Sequence, residues 1–249
     1  MRITMREKIN FIAVIVLILV AVVVLISCSG IKSLDVVGQK SITSFDEVLK
    51  TIPNKVQADE INAGWTLFAP DDSVRFIWSE DYSKSPLYDV LLEFDAQPFL
   101  DAGLDFKTLP DNYTYYEDDT KSSMGSKMLI VGIKLGDSDK VSGTATALSS
   151  YELIVNKYRD SINYHTSLDH FGLKLGDGNM FEWAKDMKTN DYDNSNQDKD
   201  IVFVLNPEPL IAAGVDPEKV KDWAYAQVSV DENGKTEQVW KLLKSFDLM

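Results

Sequence analysis

The chain has 249 residues and a single cysteine, and its 39 acidic residues outnumber its 25 basic ones to give a net charge of -14. One cysteine excludes an intramolecular disulfide and a zinc site built from several thiolates. The acidic balance argues against a nucleic-acid partner, because no basic surplus exists to displace counterions from phosphates. Aromatic residues make up 10% of the chain, which is ample material for a folded core.

The first residues of the chain have the layout of an export signal. Arg2, Arg6 and Lys8 precede an unbroken apolar run over residues 11–26, and small residues follow that run. This order is typical of a secretory signal peptide, and the run is shorter than the roughly 20 residues that a membrane-spanning helix prefers. We therefore predict a signal peptide over residues 1–27. The alternative is an uncleaved single-pass anchor in which Cys28 is an incidental thiol.

The end of this segment, Leu25-Ile26-Ser27-Cys28, resembles the lipobox of bacterial lipoprotein precursors. The resemblance implies that the preceding peptide is removed, that Cys28 becomes the first residue and that its sulfur is diacylated. Two acyl chains, at about 0.8 kcal/mol per buried methylene group, hold a protein stably on a bilayer where one chain does not. The expected localisation is extracytoplasmic, lipid-anchored to the bacterial cell membrane, with residues 28–43 as a short tether.

The rest of the chain contains two matching stretches. Residues 89–105 and 200–216 share five identical positions at a constant offset of 111, and both end in the motif Pro-apolar-apolar-x-Ala-Gly-apolar-Asp. A Phe-x-Trp sequence precedes the motif in each, and the difference in length between the copies falls on polar residues 190–200. A duplication leaves this pattern. We predict two tandem repeats, residues 44–136 and 149–249, joined by a connector at 137–148.

Each repeat is predicted to contain a helix, a hairpin, a buried strand, a short helical turn ended by glycine and a closing hairpin. The predicted segments are helices at 44–57 and 150–164, hairpins at 65–78 and 172–183, strands at 88–94 and 201–205, and closing hairpins at 113–134 and 224–243. Ser44 and Glu47 form a capping-box pattern at the first helix. Asp105 and Asp216 are predicted N-caps. The fold class is α+β, with a helix packed on an antiparallel sheet and a short second helix in each repeat.

The two Phe-x-Trp sequences are predicted to fill the core. Their aromatic residues are spaced i, i+2 and therefore point to one face of a strand. The residue between them is Ile77 in the first copy and Glu182 in the second. A glutamate at this position predicts that the opposite face is exposed to solvent, at least in the second copy.

Few residues suggest a binding or metal site. His165 and His170, the only histidines, are expected at the end of the second helix, and their spacing fits no metal pair on one helical face. With Trp65 and Trp223 they are the candidates for a binding face. The weak metal candidate is a calcium-loop-like start at Asp191, Asp193 and Ser195, but its sixth position is not glycine and its twelfth is not glutamate. No cofactor is expected.

No catalytic constellation is recognisable. The chain has no Gly-x-Ser-x-Gly, and its only Ser-x-x-Lys match lies in the tether at residues 29–32. We expect a non-enzymatic protein that binds an envelope protein, another envelope component or a small ligand close to the membrane. The alternatives are an envelope hydrolase that uses carboxylates, with Asp81 and Asp186 as the recurring pair, and a calcium-stabilised adhesive or structural module.

Overall fold

The computed structural model describes residues 36–59, 64–78, 90–111, 113–116, 128–133, 146–165, 170–188, 198–232 and 235–248. The chain divides into two compact units, Met1–Lys40 and Ser41–Met249. Of the first unit, residues 36–40 are described, and they are helical. Both sheets belong to the second unit. The predicted signal peptide, the lipobox and most of the predicted connector lie outside the described residues.

The first half of the second unit forms a six-stranded antiparallel sheet. Its strands are β1 (Val56–Asp59), β2 (Gly64–Phe68), β3 (Val74–Trp78), β4 (Val90–Asp95), β5 (Tyr113–Tyr116) and β6 (Met128–Ile133), and their order is β1-β2-β3-β4-β6-β5. The predicted first hairpin is confirmed by the pairing of β2 with β3, and the predicted closing hairpin by the pairing of β5 with β6. The short helix α2 (Gln97–Asp101) follows β4.

The second half forms another six-stranded antiparallel sheet. Its strands are β7 (Ile162–His165), β8 (His170–Gly176), β9 (Asn179–Lys188), β10 (Asp198–Leu205), β11 (Ala224–Glu232) and β12 (Lys235–Phe246). Read from β7, their order is β7-β8-β9-β10-β12-β11, which is the strand order of the first sheet. Helix α3 (Ala147–Lys157) precedes this sheet, and the short helix α4 (Glu208–Ala212) follows β10. The mixed α+β class is therefore confirmed.

Several helix boundaries differ from the prediction. Helix α1 covers residues 36–51, so the residues at 36–43 expected in the tether are helical, and Ser44 lies inside the helix rather than capping it. A 3-10 turn with Pro53 in its first turn follows α1, because proline cannot continue the helical hydrogen-bond ladder. The predicted helix ends at 56–57 and 162–164 are instead strands that pair with β2 and β8. An open neighbouring strand outweighs a weak local helix preference there.

The core is an aromatic cluster at which the two sheets meet. Phe76, Trp78, Phe181 and Trp183 are fully buried, as predicted from the sequence. The rings of Phe76 and Phe181 stack with their centroids 4.3 Å apart. Phe45 of α1 lies within 5.4–6.4 Å of all four rings, mostly edge to face. Burial of such side chains contributes about 1.5–3 kcal/mol each, so this cluster is a main source of stability.

Helix α3, which begins the second half, packs on β2 and β3 of the first sheet. Nε1 of Trp78 donates a hydrogen bond to the carbonyl oxygen of Ala147, at 3.1 Å. Tyr151 packs its ring 4.0 Å from that of Phe45, and its hydroxyl shares a buried hydrogen bond of 3.2 Å with the Ser41 hydroxyl. Burial raises the pKa of Tyr151 well above its usual value, so the phenol stays neutral. The elements of the two halves therefore interlock.

The repeated Ala-Gly motif lies at a close backbone contact between the two halves. Gly103 and Gly214 have positive φ angles of 106° and 94°, which side chains other than glycine rarely adopt. A Cβ atom built on Gly103 would lie 2.7 Å from the carbonyl oxygen of Gly214, and one built on Gly214 would lie 2.8 Å from the oxygen of Gly103. Glycine is needed at both positions because the two backbones touch.

Reciprocal hydrogen bonds surround this contact. The backbone N–H of Asp105 donates to the carbonyl oxygen of Ala213 at 2.7 Å, and the N–H of Asp216 donates to that of Ala102 at 2.9 Å. The exchange resembles the self-complementary contact of a twofold interface. The side chains of Asp105 and Asp216 each accept the backbone N–H two residues later at the start of a 3-10 turn. Their prediction as N-caps is confirmed.

The prediction of an exposed outer face is wrong. Glu182 is 2% exposed, and Ile77, at the matching position of the first sheet, is also 2% exposed. In the second sheet an apolar cluster that includes Val202, Val204 and Leu243 lies on the face opposite the aromatic core. Strands β3 and β10 are therefore buried on both faces. A glutamate in a strand therefore does not by itself identify the solvent side, since Glu182 is buried beside His170, with Oε1 and Nε2 3.8 Å apart.

Candidate functional site

Several residues predicted to matter lie outside the described part of the chain. They are the lipidation site Cys28, the calcium candidates Asp191, Asp193 and Ser195, and the acid Asp81. Asp186 lies on β9, where the structure describes its backbone only. In the described residues, no group of three or more His, Cys, Asp or Glu side chains is arranged to hold a metal ion.

The two predicted tryptophans occupy different environments. Trp65 is half-buried on β2, opposite Trp78 in the strand register and thus on the same face as the aromatic core. Trp223 is half-buried too, and its ring lies 5.7 Å from that of Phe94 and 5.5 Å from that of Phe99. Both of those residues belong to the first half, so Trp223 packs one half against the other.

The two histidines are opposite each other in the strand register of neighbouring strands, rather than at the end of a helix. His165 of β7 is opposite His170 of β8. Nε2 of His170 lies 3.8 Å from Oε1 of Glu182, and the two side chains are only 1% and 3% exposed. His170 and Glu182 lie on the outer face of the second sheet, whereas Trp65 lies on the inner face of the first sheet. The four candidates for a binding face are thus on different surfaces, and His170 is out of reach of a ligand in solution.

Sequence reasoning missed an aromatic pair in which Trp240 is exposed and Tyr225 is half-buried. Trp240 of β12 is 47% exposed, and its ring stacks on Tyr225 of β11 with centroids 4.5 Å apart and planes 25° apart. In the strand register Trp240 is opposite Gln227, and Tyr225 is opposite Leu242. Since opposite residues and residues two apart share a face, these four side chains lie together. Leu242 is fully buried and joins this surface to the core.

The same face continues with neutral polar groups. Ser229 and Gln238 are opposite each other in the register, and Nε2 of Gln238 donates a hydrogen bond to the Ser229 hydroxyl. Ser229, Gln227 and Gln238 are exposed. We call the set Tyr225, Gln227, Ser229, Gln238 and Trp240 the aromatic platform. None of these five side chains carries a charge at neutral pH.

The aromatic platform belongs to a part of the second sheet that is longer than its counterpart. Strands β11 and β12 have 9 and 12 residues, whereas β5 and β6 of the first sheet have 4 and 6. Within the described residues, the first sheet therefore has no equivalent surface. The signal in the sequence was a tryptophan with Glu237, Gln238 and Lys241 close to it, in a segment predicted correctly as a strand.

A charged contact connects strand β12 to the first sheet. Nζ of Lys244 on β12 lies 3.1 Å from Oδ2 of Asp71, in the turn between β2 and β3. Burial alone would raise the pKa of Asp71, but hydrogen bonds from the hydroxyl and N–H of Ser73 and the ammonium group of Lys244 outweigh it and lower the pKa. Lys244 is 7% exposed, and this contact satisfies its charge.

Comparisons with protein-family models, with curated proteins and with solved structures found no match to this chain. Among the described helices, none is both long enough and apolar enough to cross a bilayer.

Proposed function

We propose that this chain is a lipid-anchored extracytoplasmic protein that acts by binding an envelope component close to the membrane. The anchoring part of the proposal depends on the basic start, the apolar run and the sequence Leu25-Ile26-Ser27-Cys28. Diacylation of Cys28 would supply the two acyl chains that stable attachment requires. The proposal assigns the chain no catalytic residue, no cofactor and no nucleic-acid partner.

We further propose that the two halves are tandem repeats of one ancestral α+β unit. Three observations support this proposal. They are the sequence similarity between residues 89–105 and 200–216, the common strand order of the two sheets, and the reciprocal contact between Gly103 and Gly214. A duplicated unit that associates through a twofold contact can be joined into one chain without changing that contact. Duplication accounts for why the same motif recurs at equivalent places.

The binding part of the proposal follows from how the repeated residues are used. The Phe-x-Trp residues fill the core, the paired glycines permit the backbone contact, and the motif aspartates cap short turns. Because the repeated residues serve packing in both halves, the binding function is expected at a feature that differs between the two halves. The single observation that carries the proposal is the aromatic platform, in which the exposed Trp240 stacks on the half-buried Tyr225 among neutral polar neighbours, on only one of the two sheets described.

The anchoring proposal is tested by metabolic labelling of bacterial cells that express the full chain with an alkyne-bearing fatty acid. The wild-type chain is expected to take up label, shorten to its mature size and fractionate with membranes. The matched control is the Ser29→Ala variant, which changes a neighbouring residue and leaves Cys28 in place. Label on the Cys28→Ala variant would contradict the proposal.

The binding proposal is tested by crosslinking in living cells, followed by recovery of the anchored chain under denaturing conditions. We expect a reproducible envelope component that depends on the crosslinker. The matched comparison is the Trp240→Ala variant against the Ile211→Ala variant, which removes another exposed apolar side chain. Recovery of no component above the level without crosslinker would contradict a binding function.

A further inference from the structure

We propose that the aromatic platform binds the neutral sugar rings of a glycan. This inference rests on the proposed binding function and adds to it a site and a ligand class. The site is the face of the β11–β12 hairpin that carries the Trp240–Tyr225 stack. The ligand is a chain of uncharged pyranose rings.

The geometry of the aromatic pair suits a flat ring with an apolar side. Trp240 exposes 47% of its surface, and its stack on Tyr225 at 4.5 Å limits the rotation of the indole. A pyranose ring has a face of C–H groups that packs on an aromatic ring, while its hydroxyls point outward around the rim. An indole held in advance loses little conformational freedom when the sugar binds.

The polar neighbours match the rim of such a ring. The amides of Gln227 and Gln238 and the hydroxyl of Ser229 can both donate and accept hydrogen bonds, as sugar hydroxyls do. The contact between Gln238 and Ser229 orients both groups on the same face as the indole. Aromatic stacking combined with a few placed polar groups is the usual composition of a small-ligand site.

The charge of the protein narrows the ligand class. The platform's five side chains are neutral, and the chain carries a net charge of -14. A uronic acid polymer, a phosphate-bearing glycan or a nucleic acid would meet repulsion and find no cation on the platform to offset it. A neutral glycan meets no such penalty.

The position of the platform leaves room for a chain of sugars. In the sheet as described, β11 is an edge strand, so no hydrogen-bonded strand of this sheet borders the platform beyond Tyr225. In the first half, the shorter β5–β6 hairpin has the same place in the strand order. The fold therefore does not require the extra length that carries Trp240.

The test is a titration of the full chain with neutral oligosaccharides of four to six residues, built from α-glucose, β-glucose or N-acetylglucosamine. The chain is kept in a polyoxyethylene detergent, because an alkyl glycoside would compete for the site. Binding is read by isothermal titration calorimetry and by the shift of tryptophan emission. We expect at least one series to bind with a dissociation constant on the order of 0.1–1 mM, since an exposed platform buries little area.

The variants separate stacking from general surface effects. Trp240→Ala is expected to weaken binding about tenfold, and Trp240→Phe, which keeps a ring, by about threefold or less. Gln238→Ala is expected to weaken it by about threefold. Ile211→Ala, at an exposed apolar position on α4, is the matched control and should leave affinity unchanged. Circular dichroism confirms that each variant is folded before titration.

Four outcomes would overturn the inference. If an oligosaccharide binds wild type and Trp240→Ala equally, the site is wrong while the binding function stands. If no series binds but the crosslinking experiment recovers a partner, the ligand class is wrong and the binding function stands. Quenching of Trp240 by brominated phosphatidylcholine, seen as the difference between wild type and Trp240→Phe, would identify the platform as a membrane contact. A dimer that Trp240→Ala dissociates would identify it as a contact between copies.

Discussion

Replacement of Gly103 by alanine is expected to destabilise the protein more than an ordinary surface substitution. The new Cβ would lie 2.7 Å from the backbone oxygen of Gly214, well inside normal contact distance. Because that oxygen belongs to the backbone, it cannot turn away as a side chain would. The two halves must move apart, and the hydrogen bonds between Asp105 and Ala213 and between Asp216 and Ala102 are stretched.

The magnitude follows from two contributions. Alanine at a φ of 106° costs about 1–3 kcal/mol of backbone strain. Weakening two hydrogen bonds costs about 0.5–1.5 kcal/mol each. The expected total of about 2–6 kcal/mol is a large part of the 5–15 kcal/mol, approximately, that stabilises a typical domain.

The assay is urea unfolding of the full chain in detergent, followed by tryptophan fluorescence, with Gly178→Ala as the matched control. Gly178 also has a positive φ, of 77°, but the nearest atom to its added Cβ is Nζ of Lys241, the far end of a flexible side chain. Its cost should be limited to about 1–2 kcal/mol. The difference between the two variants therefore isolates the close approach of the two backbones.

Two results would refute this reasoning. One is a loss for Gly103→Ala that equals the loss for Gly178→Ala within about 0.5 kcal/mol. The other is full additivity in the Gly103→Ala/Gly214→Ala double variant. Once the first alanine has separated the backbones, the second should cost about 0.5–3 kcal/mol less than it does alone.

Three further predictions address the core, the charged contact and the anchor. Phe181→Ala removes a ring that stacks on both Phe76 and Trp183, and urea unfolding should show a loss of about 3–5 kcal/mol; a loss below about 1 kcal/mol would contradict its place in the core. Asp71→Asn should cost about 1 kcal/mol at pH 7, a figure discounted for the partial exposure of this carboxylate. Because the folded state lowers the pKa of Asp71, its contribution is complete above the unfolded pKa, about 3.9, and is lost as pH falls through the lower folded value; a variant effect that grows toward pH 3 would be inconsistent with this. Cys28→Ala should leave a longer precursor without lipid label on a denaturing gel, and normal processing of that variant would exclude the lipobox.

Much of the strand arrangement was predictable because its signals are local. Turn residues separate short β-forming runs at 65–78 and 172–183, and the structure has hairpins there. The Ala-Gly-apolar-Asp motif correctly predicted a positive φ at each glycine and an N-cap at each aspartate. Such features depend on interactions within a few residues, so one sequence suffices to find them.

The errors arose where distant segments decide the outcome. Residues 56–57 of β1 and 162–164 of β7 were predicted as helix ends, since they become strands only when β2 and β8 offer a free edge. Glu182 was predicted to face solvent, and its burial was missed. That burial depends on His170 of the preceding strand and on packing over the outer face, which the residues around Glu182 do not reveal. The surface with Trp240 and Tyr225 was missed, since the two residues stack only across a long hairpin.

The sequence by itself determined the α+β class, the positions of most hairpins and the aromatic core, and it predicts the export of the chain and the lipidation of Cys28. Only the tertiary structure decided that the Phe-x-Trp faces of the two sheets pack on each other, that the repeated glycines meet as a pair, and that Trp240 is left exposed. The alternation of side chains along a strand is a local property of the backbone. What each face meets is set by residues about a hundred positions away, and the strand's own sequence carries no record of them.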